Sequence, residues 1–378
     1  MRVWAGLLLG GAAVMAAVNV LVDPYDVFAG WGLDALTPYH NYGSRIAKAE
    51  GVYRGGVEVL ILGSSRAETG LDPHSPLWST THVYNAALTG AELEELGHVF
   101  DFAAAHNGLR CVVLSVDFIM FTQAKQPPSG FELSRFNPQT RQSEYLLANL
   151  LGWGTLKASR DVLKDYWRGE PPQYTPLGHH REAYPNAHRR LFESILRRQF
   201  FQEPTTYLGY RYAPQRLEVL RHIAGVCRER GIRLIVLIPP VHALQLEAIR
   251  LMGLWPLFEQ WKRDLTAAVD PQVTLWDFTG YRGPMAEAVP PADSDQPMRW
   301  YYESSHFKAD LGERVIARVL GRAGTEDESF GVRLTSQNIE DHLAQLRADR
   351  QRYADAQPKE IAWIEALHRR SMQELGRD

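Results

Sequence analysis

Val57-Glu58-Val59-Leu60-Ile61-Leu62-Gly63-Ser64-Ser65-Arg66 is the stretch on which the fold turns. A short run of branched apolar residues, stopped by glycine, reads as a buried strand. The small polar residues after it read as a strand-to-helix turn, where a serine points its hydroxyl out at the sheet edge. To become a nucleophile such a serine needs a base from elsewhere in the fold. Late in the chain, Glu303-Ser304-Ser305-His306 places an imidazole and a carboxylate on one short loop. Together they supply a base and the group that orients it.

Outward from Gly63 the pattern alternates strands with helices. Further strands are expected at 82–87, 109–116, 232–238 and 273–278, the fourth of the five stopped by Pro239-Pro240. Helices are expected at 92–106, with Leu93, Leu96, Val99, Phe100 and Ala103 on one face, at 216–230 before Gly231, and at 309–320. Short apolar strands between amphipathic helices predict an α/β fold: a three-layer α/β/α arrangement around a mostly parallel sheet. Sites in such sheets form at the carboxyl ends of strands. Gly63-Ser64-Ser65, Asp117, Pro240 and Asp277 all fall there.

The chain has 378 residues, 45% hydrophobic, with ten tryptophans, which is ample for a packed core and excludes global disorder. A formal charge of −3 without a long basic run gives no footprint for nucleic acid. Two cysteines, Cys111 and Cys227, are too few for a disulfide scaffold. Buried free thiols are expected, one bridge being the alternative in an oxidising compartment. His179, His180 and His188 lack the carboxylate or cysteine pattern that would complete a metal site, so no metal or cofactor is expected.

Residues 3–22 are apolar apart from Asn19. Twenty residues at about 1.5 Å each span about 30 Å, the thickness of a bilayer core. Arg2 precedes the run, and Asp23 and Asp26 follow it, which predicts a cytoplasmic N-terminus with the remainder outside. A cleavable signal ending near Val14-Met15-Ala16 is the rival; the apolar run continues past that point, which favours an uncut anchor. The chain thus divides into an N-terminal anchor (1–28), an α/β domain (29–330) carrying a helical insertion at 122–205, and a tail (331–378). The insertion carries a helical piece at 144–163 and is expected to form a lid or substrate wall. The tail, rich in Arg, Gln, Glu and Ala, is expected to be helical and exposed, packing back on the core or meeting a partner.

Three motifs in order resemble the SGNH/GDSL hydrolase superfamily over roughly residues 57–322. Gly63-Ser64-Ser65 is similar to the Gly-x-Ser of its first block. Tyr84-Asn85-Ala86-Ala87-Leu88-Thr89-Gly90 is similar to its second, and Glu303-x-x-His306 stands in the place of its last, Asp-x-x-His. The resemblance implies a flavodoxin-like layered fold and Ser65 as nucleophile, with Ser64 where the family usually has Asp. It makes His306 the general base and Glu303 its orienter; Asp and Glu both serve in such triads. The resemblance also implies oxyanion donors at the N–H groups of Ser65 and Gly90 and at an asparagine amide, whose position here is Asp117. An ionised Asp only accepts hydrogen bonds, and losing one oxyanion donor costs about 3 kcal/mol in the transition state. Asp117 is expected instead to pair with Arg66, which would then hold substrate or supply positive charge. Asn85 offers an amide but sits in a strand, where fixing the adjacent loop is the plainer role. His242, after the fourth strand, is a candidate to line the site, with helix capping as the alternative. Trp300-Tyr301-Tyr302 offers aromatic faces for a sugar ring or for the core.

Envelope-facing members of the superfamily acylate exopolysaccharides or cell-wall polymers. The resemblance therefore implies a single-pass protein of a bacterial inner membrane with its globular part in the periplasm, or a secreted one if the N-terminal segment is cleaved. Its activity would be that of a serine esterase or O-acyltransferase acting on an acylated polysaccharide or cell-wall polymer. Two alternatives stand beside it. One is a non-catalytic polymer-binding or assembly subunit, favoured by Asp117 and Glu303. The other is a structural partner of a membrane acyltransferase, using the anchor and the tail.

Overall fold

A computed structural model of the chain describes residues 2–28, 30–124, 130–181, 186–269, 272–322 and 330–376. Helix α1 (Arg2–Val22) is long and apolar enough to cross a membrane, and its side chains are mostly exposed. Helix α2 (Arg45–Tyr53) leads into strand β1 (Val59–Leu62), followed by α3 (Ser65–Gly70), β2 (Val83–Asn85), α4 (Leu93–His106) and β3 (Cys111–Ser115). The insertion contributes α5 (Gln142–Leu151), α6 (Trp153–Arg168) and α7 (His188–Leu196), the last running into a π-helical turn, Arg197–Gln202. Next come α8 (Leu217–Arg230), β4 (Arg233–Ile238), α9 (Ala243–Leu251), α10 (Trp255–Ala268) and β5 (Thr274–Asp277). The chain closes with α11 (Ala309–Val319), β6 (Val332–Leu334), α12 (Ile339–Ala356) and α13 (Pro358–Glu374).

The strands form one mixed sheet in the order β2-β1-β3-β4-β5-β6, parallel except for β6, which runs antiparallel to β5. Leu60, Ile61, Val112, Leu114, Ile235 and Val236 are fully buried, as strands covered on both faces require. The register Leu62↔Leu114 and Ile238↔Asp277 brings the carboxyl ends of the parallel strands to one edge. The chain leaves β1 toward β2 on one side and resumes with β3 on the other. The crevice where the order reverses therefore lies between the ends of β1 and β3. Ser64 and Ser65 follow β1, and Asp117 follows β3. Gly63 permits this close approach, since a Cβ there would lie 2.8 Å from those of Ala67 and Ser115.

The five expected strands and the helices around them form within a residue or two of the expected bounds. Elsewhere the structure corrects the expectation. The helical piece at 144–163 is two helices broken at Gly152, whose backbone is extended and where a Cβ would meet Ala148 O at 1.9 Å. The tail packs back on the core, one of the two arrangements expected, but Val332–Leu334 also adds an edge strand, too short for periodicity to reveal. Leu343, Leu346, Ile364 and Leu367 are buried against the core. Arg350 pairs with the buried Glu247, and His342 Nε2 lies 2.8 Å from Asp277, which also receives Lys262 at 2.6 Å. Cys111 and Cys227 are both free thiols.

Candidate active site

Ser65 opens α3, and the side chain of Ser64 caps it by accepting the Arg66 N–H at 3.3 Å. Ser65 Oγ lies 2.7 Å from His306 Nε2. On the other side of the ring, His306 Nδ1 meets Glu303 Oε1. Glu303 is 1% exposed, and its carboxylate also accepts the N–H groups of Ser305 (2.8 Å) and His306 (2.9 Å). Burial alone would raise the Glu303 pKa. The His306 ring and the two N–H donors outweigh burial and hold it below the ordinary carboxylate range. An ionised Glu303 fixes the Nδ1–H tautomer, which leaves Nε2 facing the serine as an acceptor. The extra methylene of Glu relative to Asp is absorbed by this tight turn, in which the carboxylate folds back onto the backbone of its own loop.

That loop is clamped from several sides. Tyr302 N–H donates to His306 O at 3.0 Å, and Lys308 N–H to Trp300 O at 2.8 Å. His188, in the insertion, bridges it: Nδ1 lies 2.9 Å from Tyr302 O, and Nε2 accepts the Met298 N–H at 3.1 Å. Phe307 packs against Gly70, where a Cβ would be 2.0 Å from the ring. The serine helix and the histidine loop therefore interlock.

Arg66 and Asp117 are both buried and joined by Nη1–Oδ1 at 2.5 Å. The second oxygen of Asp117 accepts the Ser64 hydroxyl. Arg66 Nε donates to Ser305 Oγ (2.9 Å) and Ser305 O (3.2 Å), and its Nη2 faces the Gln245 amide oxygen at 2.9 Å. Burial alone would lower the Arg66 pKa; the Asp117 carboxylate more than offsets this and holds it above its ordinary value. Arg66 thus ties the β1 turn, the end of β3 and the histidine loop together. Its Nε, Nη1 and Nη2 each face a protein acceptor while the side chain lines the cleft, which makes positioning its plainest role. Asp117 is neutralised by that pairing.

Gly90, at φ +70°, lines the same cleft as Ser65. The Ser65 N–H, at the first position of α3, has no intrahelical acceptor. Two other expected lining residues lie elsewhere. Asn85 donates its amide to Ala67 O and Leu71 O, both at 2.9 Å, and thereby anchors the end of α3. His242 is 1% exposed, capping α9 through Nδ1 and meeting Glu287 O at 2.7 Å through Nε2. Burial pushes its pKa down to about 4. Tyr301 is fully buried against His242, so that aromatic serves the core.

The cleft above Ser65 measures about 410 Å3. Ser65, Gly90, Asp117 and Ser305 form its floor, and Ile119, Arg198, Gln199, Glu203, Thr206 and Tyr207 its walls. The π-helical turn supplies Arg198 and Gln199, so the insertion does wall the site. The ties of Arg66 to Ser305 and Gln245 and the bridge from His188 to the histidine loop were not legible in the sequence, where His188 stood only in an incomplete metal-ligand pattern. Ser305 carried a signal, inside the Glu-x-x-His block; the others act across long separations. Comparison of the chain with protein-family models, curated proteins and solved structures finds no match.

Proposed function

We propose that the protein is a serine esterase or O-acyltransferase of the SGNH type, working outside a membrane to which α1 anchors it. The observation that carries this is the hydrogen-bonded line from Ser65 Oγ through His306 to Glu303 at the switch point of the sheet. His306 takes the Ser65 proton as Oγ attacks an acyl carbonyl. The N–H groups of Ser65 and Gly90 stabilise the oxyanion, and His306 then returns the proton to the leaving alkoxide. In the second half, water or a polymer hydroxyl, deprotonated by the same imidazole, attacks the acyl carbon, and the imidazolium returns that proton to Ser65 Oγ as the Oγ–acyl bond breaks. The open, partly polar cleft with Arg198 and Glu203 at its wall suits a hydroxyl-rich acceptor such as a polysaccharide.

The Arg66 pairing offsets the charge of Asp117 beside the developing anion, and the two backbone N–H groups remain its donors. The test is hydrolysis of p-nitrophenyl acetate by the full chain in detergent. Wild-type turnover should fall by about 10³-fold or more in Ser65→Ala and His306→Ala. Equal slow turnover in all three, with each variant folded, would instead favour a polymer-binding subunit without acyl chemistry.

A further inference from the structure

The corner between α5 and α6 carries apolar side chains that the described residues leave exposed: Leu147 is 58% exposed, Leu151 38% and Trp153 72%. This corner packs on the last turns of α1. Asn19, the one polar residue of the apolar run, donates to Leu150 O at 3.0 Å and accepts the Ser159 hydroxyl at 3.2 Å. One turn on, Val22 packs against Val162. On the other side, Leu33 N–H donates to Leu21 O at 2.9 Å, bringing exposed Trp31 and Leu33 beside the same end of α1. A 20-residue apolar segment just matches a bilayer core. Asn19, three residues from its end, therefore lies close to the hydrocarbon boundary, and the corner lies at the same level. Tryptophan and leucine at that depth are the residues of membrane interfaces.

We propose that the α5–α6 corner, through Leu147, Leu151 and Trp153, inserts into the lipid interface beside α1 and fixes the globular part against the bilayer. This rests on α1 being an anchor. Because the same insertion walls the cleft, a second attachment would set the orientation of the site relative to the membrane.

The test is nitroxide labelling of Leu147→Cys, Trp153→Cys, Leu9→Cys and Glu170→Cys in the full chain, reconstituted in phosphatidylcholine/phosphatidylglycerol nanodiscs. The wild type, labelled in parallel, serves as the blank for Cys111 and Cys227. The ratio of oxygen to nickel-chelate collision rates should rise several-fold at 147 and 153 over Glu170, approaching that at Leu9. Aqueous ratios at 147 and 153 with a bilayer ratio at Leu9 would overturn the docking and leave the anchor intact. An aqueous ratio at Leu9 as well would overturn both. Shielding from both reagents at 147 and 153 would show a protein partner or a second copy there, and would also overturn it.

Discussion

Replacing Arg66 with alanine separates its two conceivable roles. In the structure it joins Asp117 at 2.5 Å and Ser305 at 2.9 Å, and both charged side chains are buried. Removing one partner of a buried ion pair leaves the other charge unpaired and costs about 3–5 kcal/mol. The loop carrying His306 also loses its tie to the serine turn, and a displacement of about 1 Å at reacting groups costs about 10²-fold in rate. Arg66→Ala should therefore lower the unfolding free energy in urea by about 3–5 kcal/mol and lower kcat by about 10²-fold, with KM changed little. In Arg66→Met/Asp117→Leu neither charge remains buried, so most of the stability should return while kcat stays low. Urea titration and steady-state kinetics on an aryl acetate read both quantities. A rise in KM at unchanged kcat and unchanged stability would make Arg66 a substrate ligand and not a positioning residue. A double variant no more stable than Arg66→Ala would refute the ion-pair accounting.

Other substitutions probe other links. Glu303→Gln keeps the size of the side chain but loses the charge that fixes the His306 tautomer, and should lower kcat by about 10²–10⁴-fold with KM little changed. Ser64→Ala removes the cap of α3 and one donor to Asp117, so urea titration should show a loss of about 1–2 kcal/mol. Its turnover should stay within several-fold of wild type; abolished turnover would make Ser64 the nucleophile. His242, buried and neutral, has its pKa lowered from 6.5 to about 4. Below pH 6.5 the unfolded chain binds a proton that the folded chain refuses, so stability falls with pH down to about 4. The displacement corresponds to about 3 kcal/mol across that window. His242→Asn, which retains a capping group, should flatten that part of the stability–pH profile; an unchanged slope would count against it.

The apolar runs at β1, β3 and β4 were legible because buried parallel strands leave short, nearly continuous apolar stretches, closed by Gly63 after β1, Asp117 after β3 and Pro239 after β4. Ser65, Glu303 and His306 were legible because each sits at a strand end or loop with a characteristic short spacing. Arg66 could be placed beside Asp117, but its third tie, to Ser305, spans 239 residues and has no local signature. His242 takes the helix-capping role that stood as the alternative, not a place in the cleft. Position after β4 suggested the cleft, but a turn of one residue decides which way a side chain points, and here it points into the core beside Phe192 and Tyr301. The strand Val332–Leu334 escaped notice because three residues carry no measurable alternation.

The Ser65–His306–Glu303 line requires Ser65 to be an activated nucleophile. Its most direct test is intact-mass and peptide mapping of the full chain after exposure to a fluorophosphonate, which phosphonylates activated serines and expels fluoride. The prediction is one adduct, located on Ser65, absent in Ser65→Ala and His306→Ala and retained in Ser64→Ala. A folded wild type that takes no adduct, or takes it on a different serine, would contradict the claim.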